Sequence, residues 1–248
     1  MPLATRTALT PELTLPPPYS AVRLREWGDA FGHAVTLASE RGAGTLVYVG
    51  RFDAAEFALV LEPSEPLVQA RRVLYAGMVA LADALAGAAP PETAIHIRWP
   101  DALYVNWGLV GGGRLAWPQQ VAEDGIPEWL VFGGMIRTAT MSRTDPGVTP
   151  DVTALDEEGF SEIGANQVIE SFARNFMHAV DAWRERGFAT VAKSYFQRFS
   201  QDGTIRDIAD NGDLLLHRAS DSKAARSALL PRLALPSWLT ATADGAGT

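Results

Sequence analysis

The residues best suited to chemistry lie in one stretch, residues 95–118, which contains two arginines, an aspartate and three consecutive glycines. Arg98 and Arg114 are permanent cations of the kind that bind a carboxylate. Gly111-Gly112-Gly113 carries no side chains, so a flat ligand can lie against its backbone. Asp101 has the chemistry to accept a hydrogen bond from a ribose hydroxyl or from a backbone N–H group. These residues are therefore candidates for binding a small ligand with a carboxylate.

Each of these residues also has a structural interpretation. Arg114 is either a carboxylate clamp or a solvent-facing strand residue, depending on whether it shares the face of Gly112. Arg98 either pairs with a ligand or braces the turn through Asp101. Asp101 can cap its own backbone in that turn, and the triple glycine can be a β-bulge. A second pair, Gly133-Gly134, either approaches a ligand or relieves crowding against a helix.

Short strands and tight turns must position these residues. Alternating apolar and polar side chains predict a strand over residues 95–98. Trp99-Pro100-Asp101 is expected to form a corner, because proline fixes φ and has no N–H group. A second short strand follows over residues 103–105, and Asn106-Trp107-Gly108 provides the turn into the glycine-rich strand.

This order of elements resembles that of the biotin and lipoate protein ligases. That family has a tryptophan-proline-asparagine-aspartate corner, a short hydrophobic strand, a turn, a catalytic lysine, and a strand of small residues against which biotin lies. Here the corner is Trp99-Pro100-Asp101-Ala102, and Arg98 precedes it where the family has a basic residue. Leu109 falls at the position of the lysine, and residues 110–113 match the strand of small residues.

The resemblance covers roughly residues 25–217 and implies an activity. Ligases of this family join a carboxylic acid to AMP and then pass the acyl group to a lysine of a carrier protein. The resemblance therefore implies ATP and a small acid such as biotin or lipoate as ligands, and a biotinyl or lipoyl carrier protein as partner. The ligand-binding residues that it implies are Arg51, Arg98, Trp99, Asp101, Gly111, Gly112, Gly113, Arg114, Gly133 and Gly134.

Two parts of the ligase chemistry have no counterpart in this sequence. The family's loop of glycines and arginines, which covers the phosphates, belongs between the strands predicted over residues 45–49 and 57–61. This chain has seven residues there, with two carboxylates and one arginine, Arg51. The lysine position is Leu109, and both lysines of the chain lie far C-terminal to it. Arg114 is the candidate substitute cation, and no residue is assigned as catalytic beyond it.

Three hypotheses for function follow from this comparison. The first is a divergent ligase-family protein with a pocket for a small carboxylic acid or acyl group, in which ATP-dependent ligation is impaired or rearranged. The second is a non-catalytic module that uses the old pocket, or the carrier-docking face, to bind a small ligand or a protein. The third is a structural or interaction protein whose own side chains fill the space beside residues 111–113.

Composition excludes several other classes of protein. The 248 residues carry a formal net charge of −8, which argues against binding to nucleic acid or to an anionic membrane. The chain has no cysteine, so it has no disulfide and no cysteine that carries an acyl group. Four scattered histidines give no metal-ligand spacing, so we expect no metal site. The N-terminus has no apolar signal core, which predicts a cytoplasmic protein.

The predicted fold is α+β: a mostly antiparallel sheet with helices on one face and a truncated C-terminal β-extension. We predict a proline-rich arm over residues 1–22, a ligase-like domain over 23–200, and a small hairpin extension with a tail over 201–248. Apolar periodicity predicts helices over residues 24–41, 64–87, 161–186, 191–199 and 220–233, a strand over 128–136, a loop over 137–159, and a hairpin centred on Asp210-Asn211-Gly212.

Overall fold

The computed structural model describes residues 12–140, 151–160, 163–199, 205–217 and 224–239. Within those ranges the chain forms two sheets and six helices. The elements are β1 (Ser20–Leu24), α1 (Ala30–Arg41), β2 (Thr45–Val49), β3 (Ala54–Leu61), α2 (Leu67–Ala70), α3 (Val73–Ala86), β4 (Ile95–Arg98), β5 (Ala102–Val105), β6 (Gly108–Ala116), β7 (Leu130–Arg137), α4 (Ala165–Arg186), α5 (Ala189–Gln197), β8 (Ile205–Ile208), β9 (Leu214–His217), β10 (Ala225–Ser227) and α6 (Leu230–Leu233).

The larger sheet has seven strands in the order β1-β2-β3-β7-β6-β5-β4. The pair β1–β2 is parallel, because α1 carries the chain back between them, and the other neighbouring pairs are antiparallel. The predicted α+β class and the mostly antiparallel sheet are therefore confirmed. The strand over residues 45–49 and the glycine-rich strand lie in this one sheet.

Helices α3, α4 and α5 cover one face of the sheet, which we call the α3 face. Nearly every residue of α3 is buried, because the sheet lies on one side of it and α4 on the other. Aromatic rings fill the space between sheet and helices: Phe172 of α4 lies 4.5 Å from Phe57 and 5.4 Å from Phe132, measured between ring centroids. This is the main hydrophobic core.

Helix α1 lies on the opposite face, which we call the α1 face. Ala30, Ala34 and Ala38 recur every four residues along one side of α1, so the helix comes close to the valines of β2 and β3. The sequence analysis placed helices on one face only, and α1 adds a helix on the other. Beyond the N-terminal end of α1, the α1 face of strands β5, β6 and β7 carries the candidate site.

Two of the predicted helices differ from the structure. The helix predicted from residue 24 begins at Ala30, since the Asp29 carboxylate accepts the Gly32 N–H and caps the helix there. Residues 20–24 form the edge strand β1, and Trp27, which the helical pattern counted as buried, is 97% exposed. The helix predicted over residues 220–233 was wrong over Ala225–Ser227, which pairs with β9 as a strand, while Leu230–Leu233 is helical and residues 220–223 lie outside the described residues.

The C-terminal sheet has the order β10-β9-β8. The hairpin predicted around Asn211-Gly212 is confirmed, with Gly212 at a φ of 85° between β8 and β9. The Tyr75 hydroxyl of α3 donates to the Gly212 carbonyl oxygen across 2.5 Å and so ties this hairpin to the main core. After α6 the chain returns to the α1 face of the large sheet.

Candidate functional site

The corner at Asp101 holds the C-terminal segment. A cis Trp99–Pro100 bond turns the chain, and Asp101 is almost completely buried. Its carboxylate accepts from the Ser237 hydroxyl at 2.6 Å and from the Ser237 N–H at 3.1 Å. Burial raises the pKa of Asp101 to about 6, although the Ser237 hydrogen bonds favour the charged form. The Asp101 carboxylate therefore binds the C-terminal segment at Ser237, which the sequence analysis did not connect to the corner.

Arg98, which precedes the corner, and Trp99 within it both form hydrogen bonds with tyrosine side chains of the protein. Arg98 donates to the Tyr104 hydroxyl at 2.8 Å, with its guanidinium 4.3 Å from the centroid of the same ring, so it does not brace Asp101. The Trp99 indole N–H donates to the Tyr75 hydroxyl at 3.0 Å in the main core. Trp99 therefore packs against the main core, whereas Arg98 contacts Tyr104, which belongs to the apolar cluster on the α1 face.

The three consecutive glycines have three different environments. Gly111 has a φ of 155° and lies next to the β-bulge, where Val110 has no partner on β5, and a Cβ on Gly111 would lie 1.8 Å from the Met135 carbonyl oxygen. A Cβ on Gly113 would point into the α3 face, 3.0 Å from both Met78 and Phe132. Gly112 is the one of the three whose missing side chain leaves room on the α1 face.

The space over Gly112 is filled by Trp238, which is the arrangement that the third hypothesis predicts, so a ligand can lie against Gly112 only if Trp238 moves away. A Cβ on Gly112 would lie 2.4 Å from Cδ1 of the Trp238 ring. The indole N–H donates to the Gly113 carbonyl oxygen at 2.9 Å, and the side chain is 2% exposed. The sequence analysis missed this residue. The available signal was an isolated tryptophan after Pro236 in a predicted tail.

Leu109 lies in the apolar cluster that surrounds Trp238. Its side chain is 1% exposed, and it packs with Trp238, Tyr104 and Met135. Its backbone is fixed as well, because the Leu109 N–H donates to the carbonyl oxygen of Asp151 at 2.7 Å. The position that the resemblance assigns to a lysine is therefore dry and apolar.

Arg114 shares the α1 face with Gly112, as the alternation along β6 requires. Its guanidinium lies 4.0 Å from the centroid of the Phe31 ring and 3.5 Å from the Asp29 carboxylate. Burial lowers the pKa of Arg114, while Asp29 and Glu56 act in the opposite direction. The cation is thus oriented by the first turn of α1.

The two glycines of β7 lie on opposite faces of the sheet. A Cβ on Gly133 would lie 2.5 Å from the Phe31 ring and 3.2 Å from Cγ of Arg114, on the α1 face. A Cβ on Gly134 would lie 2.6 Å from Phe57, in the main core. Gly134 therefore relieves crowding against an aromatic side chain, and Gly133 belongs with the candidate site.

Arg51 is neutralised by its neighbours. It lies in the short loop between β2 and β3, where its guanidinium donates to both carboxylate oxygens of Asp53, one of them at 2.8 Å, and approaches Glu56 at 3.6 Å. The hydrogen bonds from Arg51 lower the pKa of Asp53, and burial raises that of Glu56. One cation between two carboxylates leaves this loop without free positive charge.

A further cation, Arg137, was missed by the sequence analysis. It ends β7, and strand alternation places it on the same face as Gly133 and Met135. Its guanidinium lies 3.5 Å from the Leu109 carbonyl oxygen, and burial alone lowers its pKa. Arg137 forms no salt bridge with any residue in the part of the chain that the structure describes. The sequence analysis assigned residue 137 to a loop over 137–159, whereas pairing with Ala54 makes Arg137 the last residue of β7.

The described ranges contain neither a metal-binding cluster nor a membrane-spanning helix. In those ranges no cluster of three or more histidine, aspartate or glutamate side chains is arranged to hold a metal ion. No helix among the described residues has the length and apolar character needed to cross a membrane.

The sequence and the fold match one family. The model of the biotin/lipoate A/B protein ligase family matches residues 15–197. That match spans well over half of the sequence, so the chain belongs to this family. A biotin–[acetyl-CoA-carboxylase] ligase of Paracoccus denitrificans is 27% identical over 182 residues, which is 69% of this chain and 73% of the relative.

Solved structures agree with this assignment. A biotin protein ligase-like protein of unknown function from Silicibacter sp. TM1040 superposes with a TM-score of 0.74 at 28% identity, over 86% of this chain and 96% of that one. The Aquifex aeolicus biotin protein ligase in complex with biotin and ATP gives a TM-score of 0.61 at 14% identity, over 84% of this chain and 94% of that one. At that identity the second likeness concerns the fold alone.

Proposed function

We propose that this protein is a non-ligating member of the biotin/lipoate ligase family. It binds a small carboxylic acid or acyl group on the α1 face and does not join that acid to AMP. The observation that carries the proposal is Leu109, which is buried among apolar side chains at the position of the family's lysine.

The residues present do not fit the phosphates of ATP. A phosphate cradle needs backbone N–H groups and unpaired cations. Between β2 and β3 this chain has a short loop in which Arg51 is paired with Asp53 and Glu56. We therefore assign no ATP site. Losing one preorganised donor typically lowers a rate by ~10²–10³, and here both the lysine and the phosphate loop are missing.

Arg137 supports binding of an acid. Burial disfavours its charged form, and no carboxylate of the described residues offsets that cost. The carboxylate of a ligand beside Leu109 would supply the missing partner. Arg114 lies on the same face, but it is paired with Asp29 and lies opposite Gly133, four residues along β7 from Arg137, so we assign the carboxylate to Arg137.

Calorimetric titration of octanoate, biotin and lipoate into the full chain without ATP tests this proposal. We expect one of the acids to bind, and at about 100 times its Kd to raise the free energy of unfolding by about 2.7 kcal/mol. Arg137→Met should weaken that binding at least tenfold. The matched control is Arg174→Met on the exposed side of α4, which should leave binding unchanged. The proposal fails if no acid binds, or if both variants bind alike.

A second candidate is an active ligase with a rearranged site. The sequence likeness to the Paracoccus ligase favours it, and Arg137 or Arg114 would then replace the lysine. Its partner would be a biotinyl or lipoyl carrier protein. Acid-dependent exchange between ATP and pyrophosphate distinguishes this candidate, because only adenylation of the acid produces it.

A further inference from the structure

We infer that the segment Ser237–Leu239 is an intramolecular occupant of the α1 face, which a ligand must displace to reach Gly112. The identity of that ligand rests on the proposed function, whereas the docking of the segment does not. Trp238 and a ligand lying along β6 require the same space, because the indole ring already contacts the backbone of Gly112.

The segment is held at two points next to Gly112. The Trp238 indole N–H donates to the Gly113 carbonyl oxygen at 2.9 Å. The hydroxyl and N–H of Ser237 donate to the Asp101 carboxylate. The Gly113 N–H in turn donates to the Asp101 carbonyl oxygen at 2.9 Å, so corner, strand and segment form one hydrogen-bonded unit.

The attachment of this segment is local. Leu235 is 65% exposed, whereas Pro236, which directly precedes the segment, is buried. The apolar contacts come from Trp238 and Leu239, packed on Leu109 and Met135. Releasing the segment breaks its hydrogen bonds to Asp101 and Gly113 and the packing of Trp238, but it leaves the strand pairing of the seven-stranded sheet intact. Such local opening has a lower free energy than global unfolding.

Affinity measurements test the competition. For a ligand that binds only the open form, the apparent Kd equals the intrinsic Kd divided by the fraction of protein that is open. Removing the occupant should therefore tighten binding. We expect Trp238→Ala to bind octanoate at least tenfold more tightly than the parent chain without ATP. Trp107→Ala, at the exposed β5–β6 turn, is the control and should not change the affinity. Equal affinities for Trp238→Ala and the parent overturn the inference. Trp238→Phe, which conserves most of the ring, serves if the alanine variant does not fold, and it should also bind more tightly.

Hydrogen exchange tests the docking without any ligand. The Trp238 indole N–H signal is assigned in ¹⁵N spectra by its loss in Trp238→Phe. We expect it to exchange more slowly than that of Trp27, yet at least tenfold faster than the Phe132 backbone N–H of the core. Exchange of Trp238 together with Phe132 would show permanent closure and overturn the inference, as would exchange as fast as that of Trp27. The expected exchange rates combined with no binding of any acid to any variant would overturn the proposed function alone.

Discussion

Arg137 and Leu109 meet across the end of the β6–β7 pair, where the guanidinium lies 3.5 Å from the Leu109 carbonyl oxygen. The cation on this part of the α1 face therefore comes from β7, while β6 contributes an apolar side chain. In the function that we propose, Arg137 on β7 binds the carboxylate, and the chemistry that a lysine on β6 would perform is absent.

A lysine introduced at position 109 should not give this protein ligase activity. Leu109→Lys would place an ammonium in the cluster with Trp238 and Met135, and a pKa displaced by roughly 2–3 units corresponds to about 3 kcal/mol of lost stability. Denaturant unfolding measures that loss, and Leu109→Met, which conserves volume, should cost less than about 1.5 kcal/mol. We expect no exchange between ATP and pyrophosphate in Leu109→Lys, and exchange there would contradict the account.

The link between the hairpin and the main core predicts a large effect of one hydroxyl. Tyr75→Phe leaves the Gly212 carbonyl and the Trp99 indole N–H without their buried partner, which should cost about 2 kcal/mol in free energy of unfolding. A double-mutant cycle with Trp99→Phe should give a coupling energy of about 0.5 kcal/mol or more between the side chains of Tyr75 and Trp99. Purely additive effects would mean that the two side chains act independently.

A methyl group at Gly112 should be poorly tolerated. Its Cβ would lie 2.0 Å from the Asp101 carbonyl oxygen, which is backbone, and 2.4 Å from Trp238. Gly112→Ala should therefore lower the free energy of unfolding by about 1–3 kcal/mol. The control is Gly87→Ala at the end of α3, where φ is −67° and the nearest atom is 3.6 Å away. Equal stabilities of the two variants would refute the close packing at Gly112.

The buried carboxyl at the corner predicts an unusual pH dependence. Its pKa is about 6 in the folded protein against 3.8 when exposed, so between about pH 4 and pH 6 the folded state binds more protons. The contribution of Asp101 to stability is thus complete below about pH 4 and is lost as the pH rises through 6, by about 3 kcal/mol in total. Unfolding curves of the parent chain and Asp101→Asn should diverge accordingly. Parallel pH profiles would show that Asp101 has an ordinary pKa.

Local patterns predicted the part of the fold that short-range chemistry determines. The proline of the corner predicted a turn, and Asn211-Gly212 predicted the C-terminal hairpin. The order of strand-forming and turn-forming residues over 95–116 predicted three adjacent strands. The order of these elements along the chain was enough to indicate the family.

Contacts between distant parts of the chain could not be predicted in the same way. The face on which α1 packs depends on its crossover between β1 and β2, and the three glycines look alike until their neighbours are known. Trp238 reaches Gly112 from more than a hundred residues away. Arg137 became a candidate binding residue only when the structure placed it beside Leu109.

Exchange of labelled pyrophosphate into ATP, measured on the purified full chain with biotin, lipoate and octanoate, tests the central claim most directly. A member of this family that binds an acid but has lost its lysine and phosphate loop should give no exchange above the acid-free blank with any of the three. Exchange that depends on one of these acids would show that the chain still forms an acyl-adenylate, and would contradict the account.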